Sequence, residues 1–571
     1  MPIMNKLVNI KINGKKIKCS PDITIWQVAR DNGIEIPGLC GHPDFPPKAN
    51  CRVCVVEIKG RQKLATSCSI KPEEGMSITT DSPRVKKARN FNLELIFAEH
   101  IEKCPTCIRN TNCRLLNYAE KYKIEIARFS DRKGKRKTYK FANAVEIDGS
   151  QCVDCRNCVD ACSLLQKINY LEIQGKGINQ EIVPAKNTYI DCIYCGQCAL
   201  HCPVASAQEQ TSWEEIDKLL ANRGDKILVA MFAPSIRVSI GEEFGLPHGK
   251  VVTGQLVSAL KNLGFDYVFD VIFGADMTTV VEAAELIERI NGKKNLPMIT
   301  SCCPGWVKYA EFYHPEILPN LTTARSPHVH LAGAIKTFWA QNQKIDPKKI
   351  VTVSIMPCTA KKFESRRVEL KINGLAPVDY VLTTREFAWL LKRKKIELGK
   401  LKPSEVSTPA SGGDSAGSIY GASGGVMESA LRTAASLICK GNKICDNRLD
   451  FKEARGMAGI KEAKVKIGNK NLRIAVVNGI GNIDPIIKRL NNYDYIEVMA
   501  CPGGCIGGGG QPIPTTPEIR KKRADALYGI DKNAPLRKAH ENKGVLEILK
   551  WLKTQGKLNS QVLYTKYIKR S

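Results

Sequence analysis

The apolar positions change their period along the chain. Near the start they alternate: Leu7-Val8-Asn9-Ile10-Lys11-Ile12 and Lys15-Lys16-Ile17-Lys18-Cys19 flank Asn13-Gly14. That pattern predicts two half-buried strands joined by a tight turn. A short helix is expected over residues 24–29. A longer one is expected over 85–100, with Phe91, Leu95, Ile96 and Phe97 as its apolar positions. From about residue 211 short continuous apolar runs take over, at 227–230, 267–270, 350–355, 472–477 and 495–499, with helical stretches such as 278–290 between them. Runs of that kind read as strands buried on both faces, in a largely parallel α/β arrangement.

Composition narrows the class. At 571 residues with 43% hydrophobic and 25% charged residues, the chain is long enough for several domains with large cores. No apolar run reaches membrane-spanning length, and residues 1–6 lack an apolar signal core, so the cytoplasm is the expected location. The formal net charge of +29 predicts a basic surface. Such a surface suits an acidic electron carrier or subunit. Nucleic acid is disfavoured, because no stacking-aromatic or recognition-helix pattern accompanies the charge. The run Arg132-Lys133-Gly134-Lys135-Arg136-Lys137 reads as a solvated loop.

The chain has 23 cysteines, most at metal-ligand spacings. Cys40, Cys51, Cys54 and Cys68 form C-x10-C-x2-C-x13-C, which fits an iron-sulfur site, with zinc as the alternative. His100, Cys104, Cys107 and Cys113 form H-x3-C-x2-C-x5-C, where spacing alone leaves zinc and iron-sulfur open. Cys152, Cys155, Cys158 and Cys162 repeat as Cys192, Cys195, Cys198 and Cys202. That repeat is the two-cluster bacterial ferredoxin pattern, in which the fourth cysteine of each run serves the other cluster. Cys202 therefore joins Cys152, Cys155 and Cys158, and Cys162 joins Cys192, Cys195 and Cys198. Three later stretches, Thr300-Ser301-Cys302-Cys303-Pro304-Gly305-Trp306, Met356-Pro357-Cys358-Thr359-Ala360-Lys361 and Met499-Ala500-Cys501-Pro502-Gly503-Gly504-Cys505, offer Cys303, Cys358, Cys501 and Cys505 as a further cubane ligand set. Cys302 is left over. Cys19, Cys439 and Cys445 lie outside every pattern; Cys19 reads as a buried apolar cysteine, and Cys439 and Cys445 read as inert, with a regulatory redox pair as the alternative. The glycine runs at 412–413, 421–425 and 507–510 read as close backbone approaches, since none has the order of a nucleotide-binding loop.

In those last three stretches the chain resembles the iron-only ([FeFe]) hydrogenases. The resemblance covers nearly the whole chain. It implies a multidomain α+β and α/β fold, with a β-grasp [2Fe-2S] ferredoxin-like domain (1–82) and a His-ligated [4Fe-4S] domain (83–140). A bacterial-type 2[4Fe-4S] ferredoxin domain (141–210) and a two-lobed α/β H-cluster domain (211–515) follow, with a small-subunit-like helical wrap at 516–571. The implied cofactors are an H-cluster, which is a [4Fe-4S] cubane bridged to a diiron subsite bearing CO, cyanide and a dithiolate amine, three further [4Fe-4S] clusters and one [2Fe-2S].

The resemblance also implies residue roles. Cys505 bridges to the diiron unit. Lys361, Pro234 and Ser235 contact its cyanides, and Met356 and Met499 pack around it. Cys302, Glu282, Thr322, Glu285 and Arg289 pass protons outward, although spacing alone would read Glu282, Glu285 and Arg289 as a solvated helix face. Thr322 stands where the family has serine, and His328 where it has glutamine. The expected activity is reversible H2 oxidation. The expected setting is a hetero-oligomer with a flavin-NAD(P) subunit, ferredoxin, or both; the alternatives are a stand-alone ferredoxin hydrogenase or a non-catalytic iron-sulfur assembly relative.

Overall fold

The computed structural model describes residues 7–100, 104–105, 107–410, 416–439 and 449–570. Cys445, Gly412 and Gly413 lie outside the described residues. The chain opens as the alternation predicts. Strands β1 (Val8–Ile12) and β2 (Lys15–Cys19) pair antiparallel with Ile10 opposite Ile17. Asn13 and Gly14, both at positive φ (50° and 82°), make the turn. Thr24 caps helix α1 (Ile25–Asp31), which packs Ile25, Val28 and Ala29 onto the sheet. Strands β3 (Val55–Ile58), β4 (Ala65–Thr66) and β5 (Ser77–Thr79) complete the order β2-β1-β5-β3-β4.

Helix α2 (Pro83–Ala98) forms as expected, with Pro83 at its first turn and Ser82 as its cap. Its buried face differs from the expectation. Val85, Arg89, Leu93, Glu94, Phe97 and Ala98 are buried, while Phe91 is 43% exposed. Two polar groups take the inner positions because they have partners there. Arg89 donates to the Val53, Val55 and Thr80 carbonyls, and Glu94 pairs with Arg128, whose guanidinium also covers the Phe91 ring at 4.8 Å. The basic run at 132–137 is a loop, mostly exposed, with Lys133 the one buried side chain among them. Arg132 bonds Glu99, buried Lys133 bridges Glu99 and Asp154, and Arg136 pairs with Asp154.

The stretch with the repeated cysteine runs carries β6 (Thr138–Phe141), β7 (Val145–Asp148), β8 (Leu171–Gln174), β9 (Glu181–Pro184) and β10 (Ala207–Glu209), in a β10-β7-β6 sheet and a β8-β9 hairpin. Two sheets follow. The first is wholly parallel, in the order β12-β11-β14-β15, from β11 (Ile227–Phe232), β12 (Tyr267–Asp270), β14 (Ile350–Met356) and β15 (Tyr380–Thr383). The second has the order β13-β18-β17-β16, from β13 (Met298–Ile299), β16 (Ile460–Ile467), β17 (Lys470–Asn478) and β18 (Tyr495–Met499). It is parallel except for the β16–β17 hairpin. The long helix α3 (Val271–Gly292) leaves β12 directly, capped by the Asp270 carboxylate, which Arg237 also grips at 2.6 Å. Helices α4 (Pro517–Asn533), α5 (Lys543–Lys553) and α6 (Lys557–Leu563) close the chain, and Val545, Ile548, Leu552 and Val562 enter the largest core.

Candidate active site

In a parallel sheet the carboxyl ends of the strands lie along one edge, and a site forms there. Cys302 and Cys303 follow β13, Cys358 follows β14, and Cys501 and Cys505 follow β18. All five line one cavity between the two sheets, together with Pro234, Ser235, Met356, Met499, Lys361, His328 and Tyr420. Burial pushes the Cys303, Cys358, Cys501 and Cys505 thiols up, Cys505 to about 12. Four thiolates therefore persist together only against a strongly cationic centre, and an iron-sulfur cluster is one. The donor set, its enclosure and its apolar walls fit such a group.

Two side chains share one carboxylate beside the cavity. Glu364 Oε2 accepts from Lys361 Nζ at 2.7 Å and from His328 Nε2 at 2.5 Å. Lys361 Nζ also donates to the Cys302 carbonyl at 3.1 Å. Burial opposes the Lys361 charge, but Glu364 and the neighbouring thiols outweigh it and hold the ammonium. Burial likewise opposes ionisation of Glu364, yet Lys361 and His328 bring its carboxyl down to about 2. Burial, then the Lys361 charge, keeps His328 neutral. Its Nε2–H donates to Glu364, and its Nδ1 accepts from Ser354.

The five expected proton-carrying residues fall into two groups. Thr322 Oγ1 donates to Glu285 Oε2 at 2.7 Å, and Arg289 Nη2 donates to Glu285 Oε1 at 2.5 Å. Arg289 also reaches the Asn295, Asn320 and Leu321 carbonyls, and Glu285 lies against an open cavity with Glu288, Lys294 and Tyr564. Glu282 is fully buried one turn earlier on α3. Burial, with the Glu285 and Glu497 charges adding, raises its carboxyl to about 8. Burial first, and then the Glu282 charge, pushes the Cys302 thiol well up. Glu282 makes no hydrogen bond to Thr322 among the described residues; its Oε1 accepts from Tyr495 at 2.6 Å.

The other cysteine groups converge as their spacing predicts. Cys40 lies within hydrogen-bonding range of Cys51 and Cys68, and Cys68 of Cys54, so the four thiols form one chain of contacts. Cys152, Cys155, Cys158 and Cys202 line one small cavity; Cys162, Cys192, Cys195 and Cys198 line a second. His100 Nδ1–H donates to the Gln151 carbonyl at 2.8 Å, and Cys104 lies close to Cys107 and Cys113. Cys439, expected to be inert, is disulfide-bonded.

A sheet-end cavity lined by five cysteines, preceded by four further cysteine groups, defines an iron-sulfur oxidoreductase. Residues 226–509 match the iron only hydrogenase large subunit, C-terminal domain. Residues 5–83 match a 2Fe-2S iron-sulfur cluster binding domain, 89–128 the NADH-ubiquinone oxidoreductase-G iron-sulfur binding region, and 517–570 the iron hydrogenase small subunit. The chain belongs to the iron-only ([FeFe]) hydrogenases, oxidoreductases that act on H2. It is 38% identical to the NADP-reducing hydrogenase subunit HndD of Solidesulfovibrio fructosivorans over 99% of both chains. It is also 38% identical to iron hydrogenase 1 of Clostridium pasteurianum, over 94% of this chain and 96% of that one. A variant of the apo [FeFe]-hydrogenase HydA1 from Chlamydomonas reinhardtii superposes with a TM-score of 0.56 at 35% identity, covering 63% of this chain and 99% of that one.

Sequence reasoning passed over Tyr420, Tyr495, Thr323 and the pairing role of Glu364. Thr323 donates its N–H and hydroxyl to Glu285 alongside Thr322. Tyr495 carried a weak signal, one of two polar residues, with Glu497, in a strand buried along its whole length. Tyr420 carried none, because its place in the cavity depends on a turn far from the cysteine motifs.

Proposed function

We propose that this chain is the H2-activating subunit of a cytoplasmic hetero-oligomeric hydrogenase that passes electrons to NAD(P) through a separate flavin subunit, with ferredoxin as a further carrier. The convergence of Cys302, Cys303, Cys358, Cys501 and Cys505 with Lys361 on one buried cavity supports the reading most strongly. Cys303, Cys358, Cys501 and Cys505 hold the cubane of an H-cluster, which when bound supplies an electrophilic metal and an adjacent base for splitting H2. Lys361 presents a fixed ammonium to the outer ligands of that group, braced by Glu364. Pro234, Ser235, Met356 and Met499 wall it from water. Cys302 hands protons to Glu282, and Thr322, Glu285 and Arg289 carry them to the open cavity at the surface.

The electron route runs the other way. The Cys195 carbonyl lies 3.9 Å from Cys501 Sγ, so the cluster of Cys162, Cys192, Cys195 and Cys198 is the one next to the active site. The cluster of Cys152, Cys155, Cys158 and Cys202 follows, then the His100–Cys104–Cys107–Cys113 cubane and the [2Fe-2S] of Cys40, Cys51, Cys54 and Cys68. That makes three [4Fe-4S] clusters and one [2Fe-2S] besides the H-cluster. The similarity to HndD along both full lengths favours the NADP-linked setting. Anaerobic purification from the native cell checks it. The chain should bring down a flavin-containing partner, and H2-dependent NADP+ reduction should need that partner, while an artificial one-electron acceptor is reduced by the chain alone. NADP+ reduction by the isolated chain would refute the arrangement.

A further inference from the structure

Tyr495 is the first residue of β18, a strand buried on both faces, and it stands between Met298 and Ile474 of its two neighbours. An apolar side chain would fill that position without cost. A phenol there buries a hydroxyl, which is unfavourable unless bonded. The hydroxyl is bonded to one group, donating to Oε1 of Glu282 at 2.6 Å from across the α3–β18 contact. The other carboxylate oxygen, Oε2, is fully buried and has no hydrogen-bond partner among the described residues.

We propose that Tyr495 is a positioning residue for Glu282: its phenol fixes the side chain by one carboxylate oxygen and leaves Oε2 as the single proton-exchange atom. The inference rests on the proton relay proposed above. A carboxyl in a transfer chain has to take a proton from one neighbour and give it to another without rotating into a dead-end hydrogen bond. Held at Oε1, Glu282 receives the proton that leaves Cys302 Sγ at Oε2 and releases it from the same atom toward the Thr322–Glu285 side. The reverse sequence serves H2 evolution.

The electrostatics agree. Glu285 and Arg289 face Glu282 from its own helix, Tyr495 and Glu497 from β18, and Tyr420 and Cys302 from the cavity side. Burial and the two carboxyls favour the protonated acid; Tyr495 and Arg289 favour the carboxylate. Burial keeps the Tyr495 phenol protonated, so it remains a donor. Removing its hydroxyl makes Glu282 hold its proton more tightly.

The experiment compares wild type, Tyr495→Phe and Glu282→Gln as full-length chains matured and assayed without oxygen. Iron-bound CO and cyanide infrared bands report assembly. The pH profile of H2 oxidation and the carboxyl C=O band missing from the Glu282→Gln spectrum report the acid. In Tyr495→Phe the alkaline shift of the profile should be about one pH unit, roughly tenfold in proton affinity, as for one hydrogen bond to a charged group. The carboxyl band should rise in frequency as that bond is lost. A wild-type profile and band in Tyr495→Phe, with Glu282→Gln inactive, overturns the proposal and leaves the relay standing. Wild-type turnover in Glu282→Gln overturns the relay reading itself. Should Tyr495→Phe not assemble, the wild-type band decides: a hydrogen-bonded carboxyl frequency supports the proposal and a free-acid frequency overturns it.

Discussion

Glu282 and Glu364 are carboxyls in the same buried region, and their surroundings drive them apart. Glu364 faces an ammonium and an imidazole and stays ionised down to about 2; Glu282 faces carboxyls and titrates at about 8. One is a brace and the other fits a proton carrier. Below pH 8 Glu282 holds a proton and cannot accept another from Cys302, so H2 oxidation should rise through about pH 8. H2 evolution, which draws on the protonated acid, should fall over the same interval. Paired pH–rate profiles check this, and parallel profiles in both directions would count against it. For Glu364, replacement by Ala strands the Lys361 charge in the interior, and loss of a buried partner costs on the order of 3–5 kcal/mol. Denaturant unfolding of the cluster-free chain should register that loss. The cysteines at 40–202 were legible because their runs are written at short spacing, whereas Cys303, Cys358 and Cys501 lie far apart and were joined as a set by the three motif stretches that carry the family resemblance. The Glu364–His328 bond and the Tyr495–Glu282 bond join distant segments, and no local pattern encodes them.

At the scale of elements, the period of the apolar positions was enough to find β1, β2, β11, β12, β14, β17, β18 and the long helix α3. The face of α2 was misread because Arg89 and Glu94 are buried by partners that lie on other segments. The charge run at 132–137 is a loop with Arg132, Lys135 and Lys137 exposed, as read, and only Lys133 is drawn inward, by partners on other segments. The glycine stretch after Cys505 shows what a close approach contributes. A Cβ on Gly509 would lie 2.3 Å from the Cys195 carbonyl oxygen and 2.5 Å from the Gly196 Cα. Only glycine lets this backbone meet the neighbouring cluster loop. Replacing Gly509 with Ala should separate the two loops, cost on the order of 2 kcal/mol or more, and slow electron delivery to the active site. Stopped-flow reduction of the clusters under H2 would show the slowing, and an unchanged rate would mean that the contact is only structural.

Across the whole molecule, the cysteine-rich segments are tied to the catalytic sheets by ion pairs between segments far apart in sequence. Asp44, four residues after Cys40, is gripped by Arg520 of α4 at 3.1 Å on both oxygens and by His201 at 3.2 Å. Glu209 and Arg385 join the ferredoxin region to the catalytic sheets. No helix among the described residues is long and apolar enough to cross a membrane. With a formal charge of +29, the surface should draw in an acidic carrier. Reduction of such a carrier should slow steeply as ionic strength rises past the point where the Debye length falls to about 10 Å, near 0.1 M. Reduction of a small neutral dye should not. The central claim is that the five-cysteine cavity holds a working H-cluster, and its most direct measurement is an infrared spectrum of the chain matured and purified without oxygen. The account predicts bands from iron-bound CO and cyanide that shift when H2 replaces argon. Full iron loading with no such bands, after competent maturation, would contradict it.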